Sequence, residues 1–263
     1  MEPVRGLVAA LRAAALAVWT VAAWISWMAA ALFGRRASAH LRLGVMRRWG
    51  RGCLWVFGAR VEVVGTPPSP PFLLVSNHLG YLDVLLLAAT SPARFLSRAD
   101  VAHWPGIGPI ARSAGTLFID RAAKRDLPRV IGQVQDTFEA GHGVIFFPEG
   151  TSSGGADVLP FKASLFEFAA TGELPVHCAS LALERPAERA PASETVCWWA
   201  DMTFGDHAWG LLKRPGFTAR VAFAEAPVTA GERKRLAAEA ERVVRGLFRP
   251  TDASRGVTAG GAE

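Results

Sequence analysis

The sequence predicts an α/β fold: a mostly parallel sheet flanked by helices, preceded by an N-terminal membrane-anchoring helix or helix pair. Two observations support this prediction. From residue 58 onward, short apolar runs rich in β-branched and aromatic residues alternate with segments of helical periodicity, as in a layered sheet with helical connections. Before residue 58, a long uncharged stretch is followed by a segment rich in arginine.

The uncharged stretch spans residues 13–33. A helix of that length rises about 30 Å, enough to cross a hydrocarbon core, and we predict a transmembrane helix. Trp19, Trp24 and Trp27 lie inside the stretch, so a helix lying in the plane of one leaflet is the alternative. Residues 37–39 resemble a signal-peptide cleavage site, but the arginines that follow the long apolar run favour an uncleaved anchor with the main domain in the cytoplasm.

The arginine-rich segment, residues 38–57, interleaves apolar and cationic side chains. This pattern is typical of an amphipathic helix lying on anionic lipid, and a helix packed on its own domain is the alternative. We therefore expect a membrane anchor at 1–57, a catalytic domain at 58–250 and a flexible tail at 251–263, where the residues are small and polar.

Strands and helices alternate through the predicted domain. The apolar runs predict buried strands at 61–64, 72–75, 94–96, 116–119 and 144–147. Helical periodicity predicts helices at 84–89, 127–140, 161–170 and 232–248. In a parallel sheet of this kind, functional residues gather in the loops beyond the carboxyl ends of the strands.

Composition narrows the classes of function. The chain is 51% hydrophobic and has a formal net charge of +6, a combination that suits an anionic membrane surface. The chain has a single tyrosine and no basic, aromatic-rich module, so its composition argues against nucleic-acid binding. Its three cysteines are widely spaced and form no C-x-x-C pair, which favours a reducing, cytosolic location over a disulfide framework or a structural zinc site.

A polar turn with His78 and Asp83 follows the predicted strand at 72–75. Residues five apart lie about 140° apart on a helix, so the two side chains meet only if His78 lies in the turn before the helix. A carboxylate that orients one imidazole nitrogen leaves the other as an acceptor for an alcohol proton. A structural helix-capping cluster is the alternative, and metal binding is a weak one because no third ligand is nearby.

Three motifs in order resemble those of the glycerolipid acyltransferase family, typified by the 1-acylglycerol-3-phosphate acyltransferases. They are the NHxxxxD motif from Asn77 to Asp83, the block GTLFIDR from Gly115 to Arg121, and FPEGT from Phe147 to Thr151. A weaker fourth block, LPV at 174–176, extends the resemblance over about 72–176.

The resemblance implies an acyltransferase in which His78, oriented by Asp83, takes the proton of an acceptor hydroxyl as it attacks an acyl thioester. The expected product is phosphatidic acid, formed at the sn-2 hydroxyl of 1-acylglycerol-3-phosphate. No metal and no cofactor are expected, with acyl-carrier protein or coenzyme A thioester as co-substrate. Residues expected to bind substrate are Asn77, Gly115, Arg121, Glu149, Gly150, Thr151 and Lys162.

Individual residue types support some of these roles. Arg121 offers a bidentate fork for phosphate, Glu149 can accept hydrogen bonds from a hydroxyl, and Gly150 lets backbone amides approach an anion. Trp104, in a predicted apolar loop that runs to Pro109, is expected to contact the acyl chain, with core packing as the alternative.

One departure from the family pattern concerns the acceptor. Many members continue FPEGT with arginine, whereas this chain has Ser152 and Ser153. One positive charge expected to bind the phosphate is therefore missing, so a zwitterionic acceptor such as lyso-ornithine lipid is an alternative.

Hydrolysis of the thioester and a non-enzymatic lipid-binding protein are further alternatives. The expected location is the cytoplasmic face of the inner membrane, with membrane lipids as partners.

Overall fold

The structure is a computed structural model that describes residues 2–120, 126–186, 189–214 and 216–252. Its centre is a seven-stranded sheet in the order β1-β7-β6-β2-β5-β3-β4. The strands are β1 (Arg60–Val64), β2 (Leu73–Ser76), β3 (Arg94–Arg98), β4 (Leu117–Ile119), β5 (Val144–Phe146), β6 (Val176–Glu184) and β7 (Thr218–Phe223). The helices are α1 (Glu2–Ala30), α2 (Arg35–Val56), α3 (Tyr81–Thr90), α4 (Ile107–Ala114), α5 (Leu127–Glu139), α6 (Glu167–Thr171), α7 (Ala192–Thr195), α8 (Phe204–Leu212) and α9 (Arg233–Leu247).

The predicted fold class is confirmed, because every strand pair except β6–β7 runs parallel. The carboxyl ends of β2, β3, β4 and β5 therefore lie along one edge of the sheet, and their amino ends lie along the other. We call these the carboxyl edge and the amino edge. Loops at one edge are separated from loops at the other by the length of a strand.

Buried side chains form two layers, one on each face of the sheet. One layer packs the sheet against α1, α2, α3 and α8, and includes the buried Trp27 and Leu86. The other packs it against α5, α6 and α9, and includes Phe166 and Val244. Strand β2 is buried along its whole length, which explains its continuous apolar sequence before the polar turn.

The five predicted strands are present, but β6 and β7 were not predicted. The helix predicted at 161–170 is two short pieces, a 3-10 turn at Ala163–Phe166 and then α6. The apolar segment after Trp104 is not a loop throughout, because α4 begins at Ile107 and holds Pro109 in its first turn, where proline is tolerated.

Helix α1 begins 11 residues before the transmembrane helix predicted at 13–33, and it ends at Ala30. Its Pro3–Ala30 portion is long and apolar enough to cross a membrane. One face packs on the domain: Trp27 is buried, and Arg12 donates hydrogen bonds to the carbonyl oxygens of Leu212 and Arg214. The opposite face exposes large apolar side chains: Val4, Leu7, Leu11, Val18, Val21, Ile25 and Met28.

Helix α2 packs across α3, and its Met46, Cys53 and Leu54 are buried in the core layer on that face of the sheet. The second predicted helix is therefore also a wall of the core, as the alternative interpretation held. The assignment of 1–57 as a membrane anchor stays a prediction. At the other end of the chain, Thr251 is buried and its N–H donates to the Gly155 carbonyl, so the tail predicted to start at residue 251 does not start there.

The contact of α2 with α3 yields a stability prediction. A Cβ on Gly50 would lie 2.7 Å from the Leu85 carbonyl oxygen, a backbone atom that cannot move aside, whereas a Cβ on Gly44 meets nothing closer than 3.7 Å. We expect Gly50→Ala to destabilise the protein by about 1–3 kcal/mol and Gly44→Ala, in the same helix, to stabilise it slightly. Thermal unfolding in detergent measures both, and equal melting temperatures would contradict the packing.

Candidate active site

A cavity of about 250 Å³ opens at the carboxyl edge of the sheet. Its walls come from the turn after β2, the end of β3 and the segment after it, the loop after β5, and the segment before α8. The lining residues are His78, Leu96, Ser97, Arg98, Val101, Trp104, Phe147, Gly150, Thr151, Ser152, Trp198, Trp199 and Ala200. Segments far apart in sequence thus meet around His78, the predicted catalytic residue.

His78 lies in the turn between β2 and α3, as its spacing from Asp83 requires. Its Nδ1 is 2.7 Å from Oδ2 of Asp83, which is fully buried. The same carboxylate oxygen accepts the backbone N–H groups of Leu79 and Gly80 and so caps the start of α3. The capping alternative and the oriented imidazole are therefore one arrangement, in which Asp83 fixes both the turn and the ring.

A stacking contact also fixes the plane of the His78 ring. The ring stacks on Phe147, with centroids 4.1 Å apart and planes inclined by 14°. With Nδ1 donating to Asp83, Nε2 is the nitrogen that accepts a proton, and 22% of the side chain is exposed to the cavity. This is the geometry of a general base held in one tautomer.

Asn77 does not face a substrate, which corrects the expectation from the sequence. Its side-chain amide donates to the Leu181 carbonyl at 3.0 Å and accepts the Leu181 N–H at 2.8 Å. Asn77 is 1% exposed, so both ends of its amide are used within the core. The residue ties the turn after β2 to β6 and thereby positions its neighbour His78.

Glu149 is likewise buried beneath the cavity. Its Oε2 accepts the His78 N–H at 3.3 Å, and its Oε1 accepts the Leu159 N–H at 3.1 Å. Burial raises the pKa of the carboxyl to about 8, more than the two hydrogen bonds lower it. The expected contact with a substrate hydroxyl is not what this arrangement supports, because Glu149 holds backbone on two sides of the site.

Gly150 and Thr151 line the cavity, and Gly150 has a φ of 73°, a conformation that favours glycine. The loop they belong to is tied to the site by the Ser153 N–H, which donates to the His78 carbonyl at 2.9 Å. Lys162 is exposed and does not line the cavity; its backbone N–H donates to the Pro148 carbonyl, and its own carbonyl accepts the Leu165 N–H. Arg121 lies outside the described residues.

Gly115 lies at the amino edge, away from His78. It ends α4 with a φ of 89° and precedes β4, whereas Asp120 follows β4 at the carboxyl edge. Five extended residues span about 17 Å, so Gly115 and Asp120 lie too far apart to line one site together. The positive φ at the end of α4 favours glycine at this position. The Gly115 carbonyl accepts a hydrogen bond from Nε of Arg94 at 2.6 Å.

Several cavity residues were not predicted, among them Arg98, Trp198 and Trp199. Arg98 ends β3 and forms a two-pronged ion pair with Asp100 at 2.9 and 2.8 Å. Its position two residues beyond a predicted strand was a usable signal. The tryptophans had no such signal, because they reach the site through tertiary contacts such as the bond from the Trp198 N–H to the Leu79 carbonyl. Trp104 lies in the cavity as expected.

Comparison with known proteins places this geometry in context. A family model described as Acyltransferase matches residues 60–182. The chain is 36% identical to the lyso-ornithine lipid O-acyltransferase of Rhodobacter capsulatus, over 74% of the chain and 72% of that protein. It is 31% identical to the 1-acyl-sn-glycerol-3-phosphate acyltransferase of Neisseria meningitidis, over 66% of the chain and 68% of that protein.

The fold is also that of a solved structure. The 1-acyl-sn-glycerophosphate acyltransferase from Thermotoga maritima matches with a TM-score of 0.68 at 21% identity, covering 94% of this chain and 98% of that one. At this identity the match concerns the fold alone.

Burial of Glu149 predicts a pH dependence of stability. Its carboxyl pKa rises from 4.5 to about 8 on folding, so between these values the folded protein holds a proton that the unfolded chain has released. The contribution of this carboxyl to the free energy of unfolding therefore falls as the pH rises through this window. We expect Glu149→Gln to flatten this fall, while Glu225→Gln, at an exposed carboxylate, keeps the wild-type slope. Identical slopes in chemical denaturation of all three proteins would refute the shifted pKa.

Proposed function

Since this chain belongs to the acyltransferase family, we propose that it transfers a fatty acyl group from an acyl thioester to a hydroxyl of a lysolipid at the membrane surface. The observation that supports this reaction is His78, on the wall of a cavity open at the carboxyl edge, with the buried Asp83 2.7 Å behind its ring. The cavity also offers apolar surface for an acyl chain, from Trp104, Trp198 and Trp199.

In the proposed reaction, Nε2 of His78 removes the proton from the acceptor hydroxyl as its oxygen attacks the thioester carbonyl. The tetrahedral intermediate collapses, the carbon–sulfur bond breaks, and the imidazolium returns the proton to the departing thiolate. The products are an ester and a free thiol carrier, and no acyl-enzyme forms. The Asp83 carboxylate stabilises the imidazolium across its 2.7 Å contact with Nδ1.

Positioning is the contribution of the surrounding residues. His78 is held at its ring by Asp83 and Phe147, and at its backbone by Glu149 and Ser153. Such constraints lower the entropy that must be lost to reach a reactive geometry. An oriented general base contributes about 10² to 10⁴ in rate.

As acceptor we propose the sn-2 hydroxyl of 1-acylglycerol-3-phosphate, which gives phosphatidic acid. Arg98 supports this assignment, because its guanidinium lies in the wall of the same cavity as His78 and has a fork that matches two phosphate oxygens. Its partner Asp100 is half exposed, so the pair can open to admit a phosphate.

Lyso-ornithine lipid is the second candidate acceptor, favoured by two observations. Arg98 is paired with Asp100, and such a pair of opposite charges is complementary to a zwitterionic headgroup. Ser152, at the position where the family pattern continues with arginine, lines the cavity without adding a positive charge. The relative from Rhodobacter capsulatus, at 36% identity, carries that activity in its name.

We further propose that the enzyme works on the cytoplasmic face of the inner membrane. The arginines of α2 follow the apolar α1, and positive charge after a membrane segment favours the cytoplasmic side. The net charge of +6 suits either acidic donor carrier, acyl-carrier protein or coenzyme A. The thioester serves as co-substrate, with no resident cofactor.

Removal of the base tests the reaction. We expect His78→Ala to lower acyl transfer from a thioester to 1-acylglycerol-3-phosphate by about 10² or more, with membrane association unchanged. His103→Ala, at an exposed histidine outside the cavity, is the matched control and should retain full turnover. Comparable turnover in His78→Ala and His103→Ala would remove His78 from the proposed role.

The two acceptors are separated by the Arg98–Asp100 pair. We expect wild-type enzyme to prefer 1-acylglycerol-3-phosphate, and Arg98→Gln to raise its KM for that acceptor about tenfold with a smaller change in kcat, because the headgroup lies away from the reacting hydroxyl. Asp100→Asn should lower that KM by freeing the guanidinium.

Steady-state kinetics with both lysolipids provides the measurement, with Arg235→Gln, at an exposed ion pair on α9, as the control. If wild-type enzyme acylates lyso-ornithine lipid in preference, and Asp100→Asn abolishes that preference, the second acceptor is the correct one.

A further inference from the structure

A second cavity, of about 430 Å³, lies at the amino edge of the sheet, on the side away from His78. Its walls are the first turns of α2, the end of α4, and the starts of β3 and β4. Three arginines line it: Arg42 from α2, Arg94 from β3 and Arg112 from α4. We call it the arginine cavity, and the proposed acyl transfer makes no use of it.

Each of the three guanidinium groups is held by uncharged oxygens. Arg42 donates to the Ser113 carbonyl and, at 3.2 Å, to the Ser38 hydroxyl. Arg94 donates to the carbonyl of Gly115 and, at 3.0 Å, to the Thr137 hydroxyl, and Arg112 donates to the Ala102 carbonyl. Such bonds orient a guanidinium without neutralising its charge.

Positive charge therefore accumulates in the cavity. Among the ion pairs of the described residues, none involves Arg42, Arg94 or Arg112. The pKa of the Arg94 guanidinium is lowered by burial and then by the charge of Arg42, whereas Asp136, in the adjoining cavity, acts in the opposite direction. Like charges brought this close cost free energy unless an anion joins them.

A buried histidine adds a second, independent indication of a ligand. His142 lines the arginine cavity and is 4% exposed, yet its Nε2 has no hydrogen-bond partner among the described residues. Buried polar nitrogens in folded proteins are almost always bonded. A ligand oxygen in the cavity would supply the missing partner by accepting the N–H of Nε2, which the ring carries in its neutral Nε2–H tautomer and in its charged form.

The position of the cavity indicates which anion it takes. Its wall includes Ser38 and Arg42 of α2, directly after the exposed apolar turn with Leu32 and Phe33. That turn ends α1, whose outer face is apolar. Whether α1 spans the bilayer or lies in one leaflet, its carboxyl end brings the cavity to the depth of the lipid phosphates.

We propose that the arginine cavity binds the phosphate group of an anionic membrane phospholipid whose acyl chains lie along α1. Arginine forks match phosphate oxygens, and three of them exceed what a carboxylate requires. A bound lipid at the amino edge would hold α2 and α4 together at the membrane surface and leave the cavity of His78 open. The site is thus separate from the acceptor site.

Isothermal titration of the full-length protein in neutral detergent, with short-chain phosphatidylglycerol as ligand, tests this proposal. In detergent, no charged surface contributes to attraction, so a saturable isotherm reports a site. We expect one such site, weakened at least about tenfold in R42Q/R112Q and retained in His78→Ala. Retention in His78→Ala makes the result independent of the proposed catalytic role.

The matched control is R47Q/R48Q, which removes the same charge from exposed positions of α2 outside the arginine cavity. It should bind within about twofold of the wild type, and circular dichroism verifies that both double variants fold. If R42Q/R112Q unfolds, R42K/R112K, which keeps the charge but loses the forks, takes its place and should also bind more weakly.

Four outcomes would overturn the proposal. One is the absence of saturable binding to the wild type, and another is an equal loss in R47Q/R48Q, which would indicate general charge attraction. The third is binding of inorganic phosphate as tight as that of phosphatidylglycerol, which would make free phosphate the ligand. Short-chain phosphatidylcholine should bind more weakly, and equal affinity would exclude an anionic headgroup.

Discussion

The fully buried carboxylate of Asp83 determines the geometry of the site more than any other group. One of its oxygens accepts the His78 ring and the N–H groups of Leu79 and Gly80. Burying a charged carboxylate costs several kcal/mol unless hydrogen-bond donors such as these compensate it. A change in the shape of the turn would remove these donors and is therefore unfavourable. The capping of α3 and the orientation of the base are therefore coupled through one carboxylate.

The other supports of His78 follow the same principle, in which buried polar groups hold backbone and leave the ring free. Asn77 ties the turn to β6, and Glu149 ties it to the segment at Leu159. These residues belong to the same motifs as the reactive ones but lie behind them. Each motif thus combines residues that line the cavity with buried residues that hold them in position.

The parallel sheet separates two functions by the length of its strands. His78, Arg98 and Gly150 meet at the carboxyl edge, while Arg42, Arg94 and Gly115 meet at the amino edge. Helix α1 contacts α4 and α8 as well as α2. Headgroup binding at one edge and acyl transfer at the other are compatible with one orientation on the bilayer.

By itself, the sequence determined the fold class, five of the strands, the two N-terminal helices and the meeting of His78 with Asp83. These features are local: periodicity, a polar turn after a strand, and a spacing of five residues. Tertiary structure alone decided that Asn77 and Glu149 face inward, that Gly115 lies at the far edge, and that Trp198 and Trp199 complete the cavity. Strand order and burial are set by contacts between distant segments, and no local pattern encodes on which side of a packed core a polar side chain ends.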